Sequence, residues 1–436
     1  MDIKQLINRT KTGIRNFCFT NPVFRALVPE SIRHRFSGRM LQKLASKTAI
    51  PKPYEPGRFP AGINLFGFFR AEIGLAQGVR LYAQAVENAD IPHAFLNTDF
   101  LAWLPQNDHS FDSRLAGQAP YAVNVIHINP DQWHEACGMF PSSYFDYHYN
   151  IGVFLWELET VPDEWLPVFD HVNEFWAPSS FVANAIRKFT EKPVTVIPYG
   201  MDAPFDETLT RKDFNLPEDK FLVLMMYDSN SFASRKNPLA AVRAFREAFG
   251  PNPEDAVLVI KINNPNPEDI ALIEEALNES SAAGSGSRPE GQRKPYILIT
   301  ERFDKPRLNS LIRLCDTYIS LHRSEGFGLI MAEAMLLGTP VIATNWSSNT
   351  EFMNQDVACM VDYDLVPVGG AYQFNKPDWV WAEANVHQAA GYLRRLKSDP
   401  AYRGKIAGKA QEYIQENLSV AACGAKIEDR IGQILS

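Results

Sequence analysis

Paired cysteines and long apolar runs are what this sequence has least of. Its five cysteines, Cys18, Cys137, Cys315, Cys359 and Cys423, are odd in number and far apart, with no C-x-x-C pair among them. That spacing excludes a disulfide framework and a zinc knuckle, and a reducing compartment fits it best. No stretch reaches the roughly 18 uninterrupted apolar residues of a spanning helix. The N-terminal segment also has no apolar core followed by a small-residue cleavage site. The expectation is a cytoplasmic protein, soluble or peripheral on the inner face of the cytoplasmic membrane.

Acidic residues are scarce in one place only. Residues 1–50 hold Asp2 and Glu30 against ten bases, so this segment carries +8 while the remainder carries −16, within a total of −8. A body that acidic disfavours nucleic acid, whose binding needs cations spread over the contact surface. Hydrophobic residues make up 45% of the chain and charged residues 22%, with 25 Gly and 30 Pro. This composition is close to a globular average and excludes disordered and collagenous chains. The 436 residues fit two domains of roughly 200 residues each.

Apolar runs bounded by turn residues alternate with helical periodicity, the pattern of a parallel sheet with crossover helices. In the first half, strands are expected at Ile63–Phe69, Ala122–Ile128, Tyr149–Leu155, Glu174–Ala177 and Val194–Ile197, with helices over Gly74–Asn88 and Ser180–Phe189. The second half gives strands at Phe221–Met226, Ala256–Lys261, Tyr296–Ile299, Tyr318–Leu321 and Pro340–Ala343, and a helix from Pro238 to Phe249. Pro198, Gly200, Pro204 and Pro217 interrupt the pattern and mark the boundary. The expected division is a basic extension over 1–55, Rossmann-like domains over 56–200 and 206–415, and a final helix over 416–436 that packs back on the first domain. Residues 278–294 are Gly/Ser-rich and read as an exposed loop without function.

The stretch Thr317–Asn345 carries the chemistry. Strand Tyr318–Leu321 runs into Arg323-Ser324-Glu325, then Gly326-Phe327-Gly328, and a helix starts near Leu329. In an open α/β sheet, ligands bind beyond the carboxyl ends of strands. The two glycines let the backbone approach a ligand, and the N–H groups of Leu329 and Ile330 suit a phosphate. Glu333 follows in the first turns of the same helix. Taken singly, Glu325 reads as a helix cap and Glu333 as a solvated helix position. Together with the glycine turn after a strand, two acids beside a phosphate cradle point to a ligand combining diphosphate with polyols, such as a nucleotide sugar. After strand Phe221–Met226, Arg235 and Lys236 stand before Pro238, which suits a first helical turn. Two cations there suit a diphosphate, Arg by forked hydrogen bonds and Lys as a mobile charge.

Glu325-Gly-Phe-Gly, Glu333-Ala-Met and Gly338-Thr-Pro-Val-Ile-Ala, preceded by Arg235-Lys236-Asn237-Pro238, resemble glycosyltransferase family 4, retaining enzymes of the GT-B fold. The likeness is strongest over residues 220–350. It implies two doubly wound Rossmann-like domains facing across a cleft, with Glu325 on donor-sugar hydroxyls, Glu333 on the ribose, and Arg235 and Lys236 on the diphosphate. The family needs neither metal nor other cofactor for this step, and the sequence has no convincing D-x-D motif at a predicted strand end. Residues Ala343–Met353 are similar to a subset among bacterial surface-polysaccharide transferases, which implies GDP-mannose as donor and a lipid-linked or oligosaccharide acceptor, as in lipopolysaccharide synthesis. In the first half, Arg70-Ala-Glu72-Ile-Gly74 corresponds to the family's first loop, although its usual pair of adjacent glycines is absent. His127 aligns with a histidine that contacts the donor sugar, and Glu72 and Asp131 fall on the acceptor side.

Two rivals stand beside a transferase: a nucleotide-sugar epimerase of the same two-domain architecture, and a non-catalytic sugar-nucleotide or glycan-binding module. For residues 1–50, where Phe17, Phe19, Phe24 and Phe36 are interleaved with the cations, two readings also stand. The segment either packs on the protein or holds it to an anionic membrane surface.

Overall fold

The computed structural model describes residues 49–99, 105–278, 295–369, 372 and 376–436. The basic segment and the Gly/Ser-rich loop lie almost wholly outside the described residues. The chain divides into two compact units. Of the described residues, one holds those from Ala49 to Gly200 together with Lys376 and Leu418–Ser436, and the other holds those of Met201–Tyr372 and Pro377–Asn417.

In the first unit six parallel strands, β1 (Ile63–Gly67), β2 (His93–Asn97), β3 (Val123–Ile126), β4 (Tyr149–Val153), β5 (Glu174–Ala177) and β6 (Val194–Val196), are ordered β2-β1-β3-β4-β5-β6. All five residues of β1 are buried, as expected for a strand covered on both faces. Helix α1 (Gly74–Asn88) follows β1, α2 (Trp133–Met139) follows β3, and α3 (Ser180–Arg187) follows β5. Ser179 caps α3 by accepting from the Val182 amide. Trp133, Phe154, Trp156 and Trp165 are packed edge to face in the core, so the aromatic stretch after β4 is core rather than surface.

The second unit repeats the plan with β7 (Phe221–Asp228), β8 (Ala256–Asn263), β9 (Tyr296–Ile299), β10 (Thr317–Ser320), β11 (Val341–Thr344) and β12 (Cys359–Val361), ordered β12-β11-β10-β7-β8-β9. Its helices are the single turn α4 (Ala233–Lys236), α5 (Pro238–Phe249), α6 (Pro267–Asn278), α7 (Lys305–Leu314), α8 (Leu329–Leu336), α9 (Val386–Ser398) and α10 (Pro400–Asn417). An antiparallel hairpin, β13 (Tyr363–Pro367) and β14 (Val380–Ala384), stands outside the main sheet. The sequence pattern does not give β2, β12 or this hairpin, because short strands with polar ends carry no clear period.

The last helix, α11 (Val420–Leu435), belongs to the first unit. Gly424 makes its close approach to α1 feasible, since a Cβ there would lie 2.7 Å from the Ala85 carbonyl oxygen. Arg430 closes the contact. Its Nε and Nη2 donate to the two oxygens of the fully buried Glu174 at 2.9 and 2.6 Å. Among the described residues no helix is long and apolar enough to cross a membrane.

Candidate active site

Strand order fixes where each unit can bind a ligand. In the second sheet the chain runs from β7 outward to β8 and β9, then crosses to β10 on the other side of β7. A crevice opens where that order reverses, outside the carboxyl ends of β7 and β10. In the first sheet the reversal falls between β1 and β3.

The loops after β7 and β10 meet at the second unit's reversal. Arg235 and Lys236 come from the turn after β7, Glu325 from the loop after β10. Lys236 Nζ donates to Glu325 Oε1, and Arg235 Nη1 lies 3.3 Å from Oε2. Burial by itself would raise the carboxyl's pKa; Lys236 and Arg235 overcome it and hold Glu325 at about 2. Glu325 is therefore an anion at neutral pH, and it is only 8% exposed. Its amide donates to Ser347 Oγ at 2.8 Å, and Arg235 Nη1 donates to the Ser324 carbonyl at 2.8 Å. The sequence suggests sugar hydroxyls as ligands of this acid; its partners within the protein are two cations, because an acid buried at the reversal needs charged partners from the adjacent strand's loop.

Helix α8 begins at Leu329. Its N-cap is Gly328, at φ +100°, and no side chain caps it. Glu325 is thus not the helix cap. The turn favours glycine for its positive φ, since the atom nearest a Cβ at Gly328 is Cε of the flexible Met331 side chain, with the next at 3.5 Å. The first-turn amides of Leu329 and Ile330 have no helical carbonyl to donate to, which suits an anion. Gly326 and Phe327 are buried beneath this turn. Glu333 is fully buried on α8 rather than solvated, and it is ion-paired with Lys305 from the start of α7. Its Oε2 has no hydrogen-bond partner among the described residues.

At the first unit's reversal, β1 ends in a loop that leads to α1. Gly74 opens α1 with no atom within 4 Å of where a Cβ would stand. Glu72 is exposed, and its Oε2 accepts from Asn107 at 3.4 Å. His127, just past β3, is fully buried, and its Nε2 lies 2.8 Å from Tyr199 Oη. Burial lowers its pKa to about 4, so the ring is neutral near pH 7. Asp131 sits half-buried in the turn Pro130–Gln132.

Several residues of these two sites give no signal in the sequence. Arg80 on α1 is buried and donates to the Phe69 and Ala71 carbonyls at 2.8 and 3.1 Å, bracing the loop that bears Glu72. Gly78, not Gly74, is where α1 excludes a side chain, since a Cβ would lie 2.7 Å from Tyr199 Oη and 3.0 Å from His127 Nε2. Lys261 is buried on β8, and burial lowers its pKa to about 8 against the pull of Asp228. Lys305 pairs with Glu333 across 28 residues, a distance at which a lone lysine carries no local pattern. Among the described residues no three His, Cys, Asp or Glu side chains are grouped to hold a metal ion.

Residues 296–364 match the family model described as glycosyl transferases group 1. The matched segment runs from β9 to the start of the hairpin and contains Lys305, Glu325, the glycine turn and Glu333. Solved structures extend the likeness to the fold as a whole. A glycosyltransferase from Rickettsia africae superposes with a TM-score of 0.61 at 15% identity, covering 86% of this chain and 99% of that one. Sucrose-phosphate synthase from Thermosynechococcus elongatus gives 0.59 at 14%, covering 86% and 99%. HepE of Anabaena, solved in complex with UDP and glucose, gives 0.58 at 14%, covering 85% and 100%. The two parallel six-stranded sheets are those of the GT-B glycosyltransferase fold. No curated protein matches the chain.

Proposed function

We propose that this protein is a retaining, metal-independent glycosyltransferase that moves a hexose from a nucleoside diphosphate sugar to an acceptor hydroxyl. The observation that carries this reading is the joining of Arg235, Lys236 and Glu325 at the strand-order reversal, beside the uncapped start of α8. Two cations and one carboxylate leave a net positive charge there, which a diphosphate would neutralise. Arg235 is buried and fixed by the Ser324 carbonyl. Lys236, at 21% side-chain exposure, is the more exposed of the two, and its ammonium is a point charge on a flexible stem. On donor binding its ammonium turns to the diphosphate, and the freed Glu325 oxygen accepts from a sugar hydroxyl. Glu333, with one oxygen on Lys305, presents its other oxygen to the ribose. For the first unit, the resemblance to family 4 suggests Gly74 and His127 as donor-side residues and Glu72 and Asp131 as acceptor-side residues.

In the reaction, the bond between the anomeric carbon and the diphosphate oxygen breaks with the electron pair leaving on the diphosphate. The acceptor oxygen bonds to the same face of the anomeric carbon, and its proton passes to the departing phosphate oxygen. The two carboxylates that flank the anomeric centre in retaining glycosidases have no counterpart in this reading, because Glu325 is committed to cations and hydroxyls. Rate enhancement comes from stabilising the leaving charge and from positioning. The UDP and glucose bound to HepE make UDP-glucose the first donor to try, and the polysaccharide-transferase resemblance adds GDP-mannose. The acceptor would be lipid-linked or an oligosaccharide, with residues 1–50 contacting an anionic membrane.

Incubation with each donor and an acceptor panel, followed by product analysis, tests this reading. An α-linked product from an α-linked donor supports it. An inverted product contradicts the mechanism, and an altered sugar nucleotide formed without acceptor points to an epimerase instead.

A further inference from the structure

The segment that carries Arg235 and Lys236 is held in a backbone shape it would not adopt alone. Phe232 and Asn237, on either side of α4, both have positive φ, at +59° and +52°. For a bulky residue such as Phe232 that conformation is an outlier, and it persists only where surroundings over-determine it. Those surroundings come from β14. Glu383 Oε1 accepts from Asn237 Nδ2 at 3.2 Å, and its Oε2 accepts from Arg323 Nε at 2.7 Å and lies 2.5 Å from Arg323 Nη2. Arg323 in turn donates from Nη1 to the Ser234 carbonyl at 2.7 Å and from its backbone N–H to the Arg235 carbonyl at 2.8 Å. The hairpin grips the same loop from its backbone, with the Ala382 amide donating to the Arg323 carbonyl at 3.0 Å. Trp381 lies under the Arg323 guanidinium at 5.3 Å, and Tyr372 packs on both Trp381 and Phe232.

We infer that Glu383 is a positioning residue, which through Arg323 and Asn237 sets the spacing between the turn bearing Arg235–Lys236 and the loop bearing Glu325. Glu383 itself needs no contact with substrate. It fixes the loop after β10 through Arg323, and the turn after β7 through Asn237 and, by way of Arg323, the Ser234 and Arg235 carbonyls. This role rests on the transferase reading, in which those two loops hold the leaving diphosphate.

The test uses the full chain with Glu383→Ala, Glu383→Gln and, as a control on the same hairpin, Asp364→Ala. Amide hydrogen exchange is read by mass spectrometry, and donor kinetics are read with the nucleotide sugar that the wild-type protein turns over. In Glu383→Ala, the amides of 232–237 and 322–325 exchange faster while those of β8 stay unchanged. Turnover falls about tenfold or more, with donor KM altered less than about threefold, because a misplaced cation costs the transition state more than the ground state. Glu383→Gln, which keeps one of the two acceptor oxygens, recovers part of the turnover, and Asp364→Ala matches wild type. Wild-type exchange in both segments of Glu383→Ala overturns the inference whatever the ligand. So does faster exchange with unchanged turnover, which would make Glu383 a structural brace alone. Should Glu383→Ala fail to fold, Glu383→Gln decides: wild-type exchange and turnover there overturn the charge-based role. A wild-type protein that turns over no nucleotide sugar overturns the transferase reading, and with it the catalytic purpose assigned to Glu383.

Discussion

Lys236 and Glu325, 89 residues apart in the chain, form an ion pair across the one place in the second sheet where strand order reverses. One partner arrives from the turn after β7 and the other from the loop after β10. Both loops are therefore set by the same parallel pair of strands. Removing either partner does different things, and the difference is measurable.

Lys236→Ala deletes the more exposed cation and leaves Glu325 with Arg235 as its charged neighbour. Loss of one group that stabilises developing negative charge costs about a hundredfold to a thousandfold in turnover. The carboxyl pKa also rises from about 2, since its largest favourable interaction is gone. Steady-state kinetics with the donor, and titration of the carboxyl by NMR, check the two outcomes separately.

Gly74 and Gly78 on α1 separate function from packing. Gly78→Ala places a methyl 2.7 Å from Tyr199 Oη and 3.0 Å from His127 Nε2, an overpacking that costs about 1–3 kcal/mol in unfolding free energy. Gly74→Ala meets nothing within 4 Å and leaves stability unchanged. The family resemblance makes Gly74 a donor-side residue, so that same substitution raises donor KM. Urea unfolding and donor kinetics on both variants provide the comparison.

Glu174 and Arg430 anchor the last helix to the first sheet. Glu174 is fully buried and accepts from Trp176, Thr195, Tyr149 and both donor groups of Arg430. Arg430→Ala strands that buried carboxylate and lowers stability by about 3 kcal/mol. Glu174→Gln added to Arg430→Ala recovers part of the loss by removing the unpaired charge. Chemical denaturation of the single and double variants measures it.

Acid stability carries the mark of the buried histidines. Burial lowers His127 and His322 from 6.5 to about 4 in the folded state. Below pH 6.5 the unfolded chain takes up protons that the folded chain refuses, so stability falls as pH drops from 6.5 towards 4. Glu325, lowered from 4.5 to about 2, extends the loss below pH 4.5 with the same sign. His322→Asn flattens the fall of melting temperature between pH 6.5 and 4, and leaves the part below 4.5 in place.

Much of the fold is legible in the sequence alone. Runs such as Phe221–Met226, buried on both faces, show the parallel strands directly, and the Gly326–Gly328 turn marks the carboxyl end of β10. What one sequence does not show is pairing at long range. Nothing local to Glu325 announces that Lys236 and Arg235 reach it from the turn after β7. Lys305 and Glu383 are single charged residues whose roles exist only once α7 and the hairpin have docked. Gly74 draws notice for opening a helix, whereas Gly78 matters to packing because Tyr199 arrives from more than a hundred residues away.

The most direct test of the donor site is calorimetric titration of the full chain with UDP-glucose and GDP-mannose, repeated on Arg235→Ala and Lys236→Ala. The wild-type protein is expected to bind at least one of them, and each variant to bind it at least about tenfold more weakly. Equal binding by wild type and both variants, or no binding of either donor by the wild type, would contradict a diphosphate site at Arg235 and Lys236.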